Sequence, residues 1–123
     1  MGAWDLSGSN SLLVEIFLWE KNPDAAWREA QAGGCSERLW MRLAADREQN
    51  HPEDAVDVYK KWIGPIAERK NNQAYEEAAA LIKKIRLLMN RLNREADFAG
   101  YLRGVRAAHK PKRNFMKLLD GIK

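Results

Sequence analysis

The chain has 123 residues, of which 46% are hydrophobic and 31% charged, and its formal net charge is +4. This composition excludes a disordered or fibrous chain and fits one modest globular domain. The longest apolar run, residues 11–19, contains Glu15 and falls short of the roughly 20 apolar residues that span a bilayer. It also lacks the basic start and cleavage site of a signal peptide, so we expect no membrane segment. A single cysteine, Cys35, and no export signal predict a cytoplasmic protein.

The predicted elements begin after a flexible lead-in over residues 1–10, and a single helical domain is expected over 11–123. Asn10 or Ser11 can cap a first helix over about 11–21. Its apolar residues largely follow helical spacing; they are Leu12, Leu13, Ile16, Phe17 and Trp19.

A recurring phrase then starts two further helices. Asn22-Pro23-Asp24 and His51-Pro52-Glu53 each place Pro in the first helical turn, where its missing N–H has no partner, and an acid near the positive helix end. The second helix is predicted over 23–32 and ends at Gly33-Gly34, because glycine adopts the left-handed conformation that closes a helix. The third, capped by Ser36, is predicted over 37–49. The fourth is predicted over 52–69, with a kink or break near 61–64 because Pro65 lacks an N–H.

The last three helices are predicted over 72–92, 94–109 and 112–120. The fifth has the clearest pattern, because apolar residues recur at steps of three and four while charged residues lie off that stripe. The stripe contains Ala74, Ala78, Leu81, Ile82, Ile85, Leu88, Met89 and Leu92. No segment has the pattern of a strand. The predicted fold is all-α, with stacked antiparallel helical hairpins in a tetratricopeptide-like α-solenoid of about seven helices.

Several short stretches carry a resemblance to a known family. They are Ala26-Trp27-Arg28-Glu29-Ala30, Gly34-Cys35-Ser36, Leu39-Trp40, His51-Pro52-Glu53-Asp54-Ala55, Val58-Tyr59, residues 72–79 and residues 98–102. Over about residues 24–120 the chain resembles the C-terminal helical region of bacterial SWIM zinc finger proteins. The resemblance implies a helical-repeat interaction module from a larger protein. The family's zinc motif needs several cysteines, and this chain has one, so the resemblance implies no zinc site and no inherited activity.

No motif predicts catalysis, a cofactor or a metal. Cys35, His51 and His109 lie too far apart in sequence for ligand spacing, and a core or interface position suits Cys35. His109 ends the sixth helix, where a partial positive charge suits the negative helix end. The serines occupy lead-in or capping positions, and Gly33-Gly34 lacks the lysine of a phosphate-binding loop. We therefore predict that the chain is not an enzyme and holds no cofactor or metal.

Charge is divided unevenly along the chain. Residues 1–81 hold 9 Lys and Arg against 14 Asp and Glu, whereas residues 82–123 hold 12 against 3. Such a division can mark an acidic or nucleic-acid partner for the basic end, and it can equally serve neighbouring repeats of opposite charge or a longer parent chain. The candidate partner-binding residues are Trp4 in the lead-in and the basic residues Lys83, Lys84, Arg86, Arg91, Arg94, Lys110, Lys112 and Arg113.

These observations favour a non-catalytic module that binds another protein or the remainder of a parent chain. The alternative is a nucleic-acid-binding accessory module that uses the basic C-terminal third. The two predictions differ in salt dependence, because phosphate binding by Lys and Arg weakens steeply as salt rises.

Overall fold

The computed structural model of the chain describes residues 10–122, which are 79% helical and contain no strand. The predicted all-α class is therefore confirmed. The seven helices in this part of the chain are α1 (Ser11–Trp19), α2 (Pro23–Gly33), α3 (Glu37–Arg47), α4 (Pro52–Ala67), α5 (Asn72–Arg91), α6 (Glu95–Ala108) and α7 (Arg113–Asp120). The predicted lead-in, apart from Asn10, lies outside the described residues.

Side-chain caps start three of these helices, and the cap at Ser36 is predicted from the sequence. The side chain of Asn22 accepts a hydrogen bond from the backbone N–H of Ala25, and that of Ser36 accepts one from Leu39. Asn71 does the same for α5, with 2.8 Å between its Oδ1 and the nitrogen of Ala74. Each cap satisfies a backbone donor that has no partner within its helix.

Two local expectations need correction. Helix α4 continues through Pro65 to Ala67, so of the predicted kink or break the break is absent, because burial of its apolar residues outweighs the one backbone hydrogen bond that proline removes. Asn10 precedes α1 but makes no side-chain cap; its amide Nδ2 instead donates to the backbone oxygen of Glu29, 2.9 Å away on α2. Gly34, by contrast, closes α2 with a φ of 82°, in the left-handed region predicted for this turn.

The chain forms two compact units, the first ending at Asn50 and the second beginning at His51. In the first unit α1 packs on α2 and α3. The indole rings of Trp27 and Trp40 meet edge to face with centroids 5.8 Å apart, and the guanidinium of Arg47 lies 4.5 Å from the Trp27 ring centroid. Trp27 is buried and Trp40 half-buried, so both contribute to this core.

The second unit is built around α5, which packs against α4, α6 and α7. Its predicted stripe is buried or half-buried along the whole helix, and Ile82 and Ile85 are completely inaccessible to solvent. At the other end of the chain, Phe115 of α7 stacks on Tyr75 with centroids 5.5 Å apart. The His109 ring meets the same phenylalanine edge-on at 5.6 Å. Packing of α7 on α5 therefore includes an aromatic cluster of three rings.

Candidate interaction surfaces

Helix α1 exposes a row of large apolar side chains. Leu12, Ile16 and Trp19 retain 69%, 42% and 84% of their accessible surface, and Leu13 retains 45%. The spacing of Leu12, Ile16 and Trp19 brings them to one side of the helix, since residues three and four apart are neighbours. We call these three residues the α1 apolar face.

The buried side of α1 is the opposite one. Val14 and Leu18 are the buried residues of this helix, and they lie about half a turn away from Ile16. The sequence predicts a helix here from its apolar spacing, which the structure confirms, and does not specify which side of that helix is buried. The helix is apolar nearly all round, and α2 and α3 cover one side of it.

The predicted basic residues are spread over the second unit. Lys83, Lys84, Arg86 and Arg91 belong to α5; Arg94 precedes α6; Lys110 and Lys112 follow it; and Arg113 begins α7. The residues at the two ends of α6 are separated by the length of that helix, about 20 Å at 1.5 Å per residue. The structure therefore does not gather the whole set into one cluster.

Part of this basic set serves the fold. Lys112 keeps 12% of its side-chain surface, and its ammonium lies 2.9 Å from Oε2 of Glu68. The Lys84 ammonium lies 5.4 Å from the centroid of the Tyr59 ring. The side chains of Lys83, Arg94, Lys110 and Arg113 are exposed, so they are the members that suit an external anion best.

Glu68, His109 and Lys112 form a small polar cluster at the end of α4 and the α6–α7 turn. The hydrogen bond and charge of Lys112 lower the pKa of the Glu68 carboxyl. Burial lowers the pKa of His109, with Lys112 acting in the same direction and Glu68 opposing it. His109 occupies the C-cap of α6 as predicted, but its buried position opposes the positive charge that we expected there.

Two further reactive groups, Cys35 and Tyr101, are in environments that hold them neutral. Cys35 is buried as predicted, and burial raises its pKa to about 11, which disfavours the thiolate that nucleophilic chemistry needs. Burial also raises the pKa of Tyr101 to about 12. This tyrosine lines a shallow groove between α4 and α6, where the Lys60 ammonium lies 4.8 Å from the centroid of its ring. Within residues 10–122, no group of three or more His, Cys, Asp or Glu side chains has the arrangement of a metal site.

Sequence reasoning missed two arginines of α6. Arg103 and Arg106 line a cleft between α5 and α6 together with Arg86, the one member of the predicted basic set that this cleft contains. The signal was present in the sequence, because Arg103 and Arg106 are three residues apart on a predicted helix. Arg103 and Arg106 share a cleft with Arg86 because α6 packs against α5, and the sequence pattern does not specify that packing. Trp4, the other candidate, lies outside the described residues.

Comparison with known proteins gives one informative similarity. The chain is 24% identical over 112 residues to the uncharacterized protein YwqB of Bacillus subtilis (strain 168). The matched region covers 85% of this chain and 21% of YwqB, so the chain spans a small part of the length of this relative. No family model and no solved structure matches the chain. Among the described helices, none combines the length and hydrophobicity needed to cross a membrane.

Proposed function

We propose that this chain is a non-catalytic helical module that binds another polypeptide through the α1 apolar face. The observation that carries the proposal is the exposure of Leu12, Ile16 and Trp19 on one side of a helix whose other side is packed. Exposed apolar residues scattered singly need no explanation, but a contiguous row marks an interaction site. In this proposal the helices form tetratricopeptide-like hairpins, an arrangement typical of interaction modules.

The geometry of the α1 apolar face suits a polypeptide partner. Amphipathic helices dock into apolar grooves through anchors at positions i, i+4 and i+7, which is the spacing of Leu12, Ile16 and Trp19. Tryptophan is among the residues that contribute most to binding energy when they enter a partner's pocket. Beside the face, Glu15 pairs with Arg38 at 3.3 Å between Oε2 and Nη2, and the exposed Glu20 is followed by the exposed Lys21, so the rim carries charges of both signs. A partner with an apolar groove would complement the face.

The similarity to YwqB supports a partner within a longer polypeptide. The matched region is 21% of that protein, so a related sequence occurs there beside a much larger remainder. A module of this size inside a long chain has neighbouring domains available as partners. The proposal agrees with the resemblance to the helical region of SWIM zinc finger proteins, which likewise implies an interaction module.

Nucleic-acid binding is the second proposal, and the excess of Lys and Arg in residues 82–123 favours it. Its structural basis would be the exposed residues Lys83, Arg94, Lys110 and Arg113, because Lys112 is paired with Glu68. A gel-shift titration at low salt tests it. Binding that falls with salt, and that is lost when the four exposed residues become Gln, would support this second function. No binding at about 50 μM protein would eliminate it.

A photo-crosslinking experiment tests the leading proposal. Benzoylphenylalanine placed at Ile16 should crosslink to a defined polypeptide in the native host, whereas the same probe at Arg42, an exposed position on α3, should not. With the captured polypeptide purified, Trp19→Gln should weaken its affinity by about tenfold or more, because removal of a hot-spot aromatic costs more than about 1.4 kcal/mol. Identical crosslinks from both positions, or none from Ile16, would contradict the proposal.

A further inference from the structure

The α1 apolar face lies directly after the segment that contains Trp4, a predicted partner-binding residue. Trp4 belongs to residues 1–9, which lie outside the described residues and connect to Asn10, the residue before α1. The apolar face begins two residues further on, and its members Leu12 and Ile16 keep 69% and 42% of their accessible surface. The segment is therefore attached beside an apolar surface that α2 and α3 leave uncovered.

The sequence of this segment places two apolar side chains on the same side of an extended chain. Trp4, Asp5 and Leu6 alternate apolar, acidic and apolar residues. Successive side chains of an extended chain point to opposite sides, so Trp4 and Leu6 share one side and Asp5 lies on the other. The pattern suits a segment that packs its apolar side on a surface and keeps its charge in water.

The spacing of these two apolar residues matches that of Leu12 and Ile16. Trp4 and Leu6 are two residues apart, which is about 6.6 Å in an extended chain at ~3.3 Å per residue. Leu12 and Ile16 are four residues apart, which is about 6 Å along a helix that rises ~1.5 Å per residue. A segment that runs antiparallel to α1 therefore brings Leu6 beside Leu12 and Trp4 beside Ile16.

The connecting residues suit the reversal of direction that this arrangement needs. Residues 7–9 are Ser-Gly-Ser, and both residue types are favoured in turns. Glycine adopts positive φ without strain, and the serine hydroxyl forms hydrogen bonds with the nearby backbone. Residues 7–11 separate Leu6 from Leu12, and connections of this length are common between packed elements.

We propose that residues 4–6 fold back along α1 and cover Leu12 and Ile16. The length and composition of the connection permit this contact, and the matched spacing of the apolar residues selects it over other positions on the chain. Trp19 stays outside the contact, because the next residue on the apolar side of the segment is Gly2, which has no side chain.

The contact makes the segment a competitor for the α1 apolar face. A site tethered through a short linker meets its ligand at an effective concentration of the order of millimolar. A partner polypeptide must therefore displace residues 4–6 before it reaches Leu12 and Ile16, whereas Trp19 is available to it from the start. This consequence rests on the proposed function, since it concerns the regulation of the same surface.

Methyl NMR of the isolated chain tests the contact. Nuclear Overhauser effects should connect the Trp4 ring to the methyl groups of Ile16. Trp4→Gln should shift the methyl resonances of Leu12 and Ile16 and leave those of Leu18, on the buried side of α1, in place. Ala3→Gln is the matched control, because it introduces the same side chain on the other side of the extended segment and should leave these resonances unchanged.

A dye that binds exposed apolar surface tests the competition. The double variant Trp4→Gln, Leu6→Gln should bind anilinonaphthalene sulfonate about threefold more tightly than the wild type, because the competing segment no longer occupies Leu12 and Ile16. Ala3→Gln should bind the dye as the wild type does. Equal dye affinity in the double variant and the wild type would overturn the competition.

The NMR outcomes separate this inference from its alternatives. Unchanged Leu12 and Ile16 resonances in Trp4→Gln, or equal shifts in Ala3→Gln, would overturn the inference. Shifts that grow with protein concentration would place a second copy on the face and overturn it as well. Both measurements use the isolated chain, so their failure is distinguishable from failure of the crosslinking test, which requires a polypeptide of the host.

Discussion

Helices α1 and α5 are both rich in apolar residues, yet the chain uses them differently. Helix α5 packs against three other helices, and of its large apolar side chains Leu87 alone is exposed. Helix α1 packs on α2 and α3 and leaves Leu12, Ile16 and Trp19 in solvent. The comparison shows that an apolar stripe becomes core only where neighbouring helices cover it. Where they do not, the same stripe is available to a partner.

The largest expected effect lies in the stripe of α5. Ile85→Ala should lower the free energy of unfolding by about 2–5 kcal/mol, because it deletes methyl and methylene groups at a fully buried position and leaves a cavity. Leu87→Ala, on the same helix at a side chain that is 58% exposed, should cost less than about 1 kcal/mol. Urea denaturation of both variants measures the difference. Equal losses would mean that the buried side of α5 has been misassigned.

Two glycines, one in each unit, should respond in opposite directions to substitution by alanine. At Gly104, inside α6, an added Cβ meets nothing within 4 Å, so Gly104→Ala should raise the unfolding free energy by about 0.5–1 kcal/mol through helix propensity. At Gly33 the added Cβ would lie 2.5 Å from the Asn10 side chain. Displacing Asn10 breaks its hydrogen bond to Glu29, so Gly33→Ala should lower the unfolding free energy by about 1 kcal/mol. Stabilisation by Gly33→Ala would refute this account of the α1–α2 junction.

The His109 cluster should give the second unit a modest dependence on pH. Burial lowers the pKa of His109 below its ordinary value of 6.5, so the unfolded chain binds this proton more readily than the folded chain. The contribution of His109 to the free energy of unfolding is complete above pH 6.5. It is lost as pH falls from there toward the lower pKa that His109 has in the folded chain. Glu68, whose pKa is also lowered, adds a further loss below its ordinary value of 4.5.

A substitution isolates the histidine contribution to that dependence. In His109→Gln, the fall in urea midpoint between about pH 7.5 and pH 5.5 should be smaller than in the wild type, because the titrating group is absent. The informative quantity is how steeply the urea midpoint depends on pH, because loss of the ring contact with Phe115 lowers the free energy of unfolding at every pH. If the urea midpoint of the variant depends on pH as steeply as that of the wild type, His109 is excluded as the source of the pH dependence.

Local signals made much of the fold predictable. Asn22, Ser36 and Asn71 start their helices, and Gly34 ends one, because these residue types satisfy helix ends through their own chemistry. The α5 stripe was predictable because charged residues interrupt every other side of that helix. The break considered near Pro65 does not occur, because a propensity argument does not weigh the packing of α4.

The candidate sites were less predictable because they depend on which elements pack together. A helix that is apolar nearly all round has two possible buried sides, and the sequence of α1 does not distinguish Val14 and Leu18 from Ile16 and Trp19. Lys112 was grouped with the candidate partner-binding residues because its own partner, Glu68, is distant in sequence. Arg103 and Arg106 acquire their place in a cleft only when α6 lies against α5.

The most direct test of the central claim compares the two sides of α1 by free energy of unfolding. The triple variant Leu12→Gln, Ile16→Gln, Trp19→Gln should unfold within about 1 kcal/mol of the wild type, because glutamine is a good helix former and these side chains are exposed. Leu18→Ala, a single substitution on the buried side, should lose about 2–5 kcal/mol. A triple variant destabilised as much as Leu18→Ala would show that the α1 apolar face belongs to the core, and would contradict its proposed role as a binding surface.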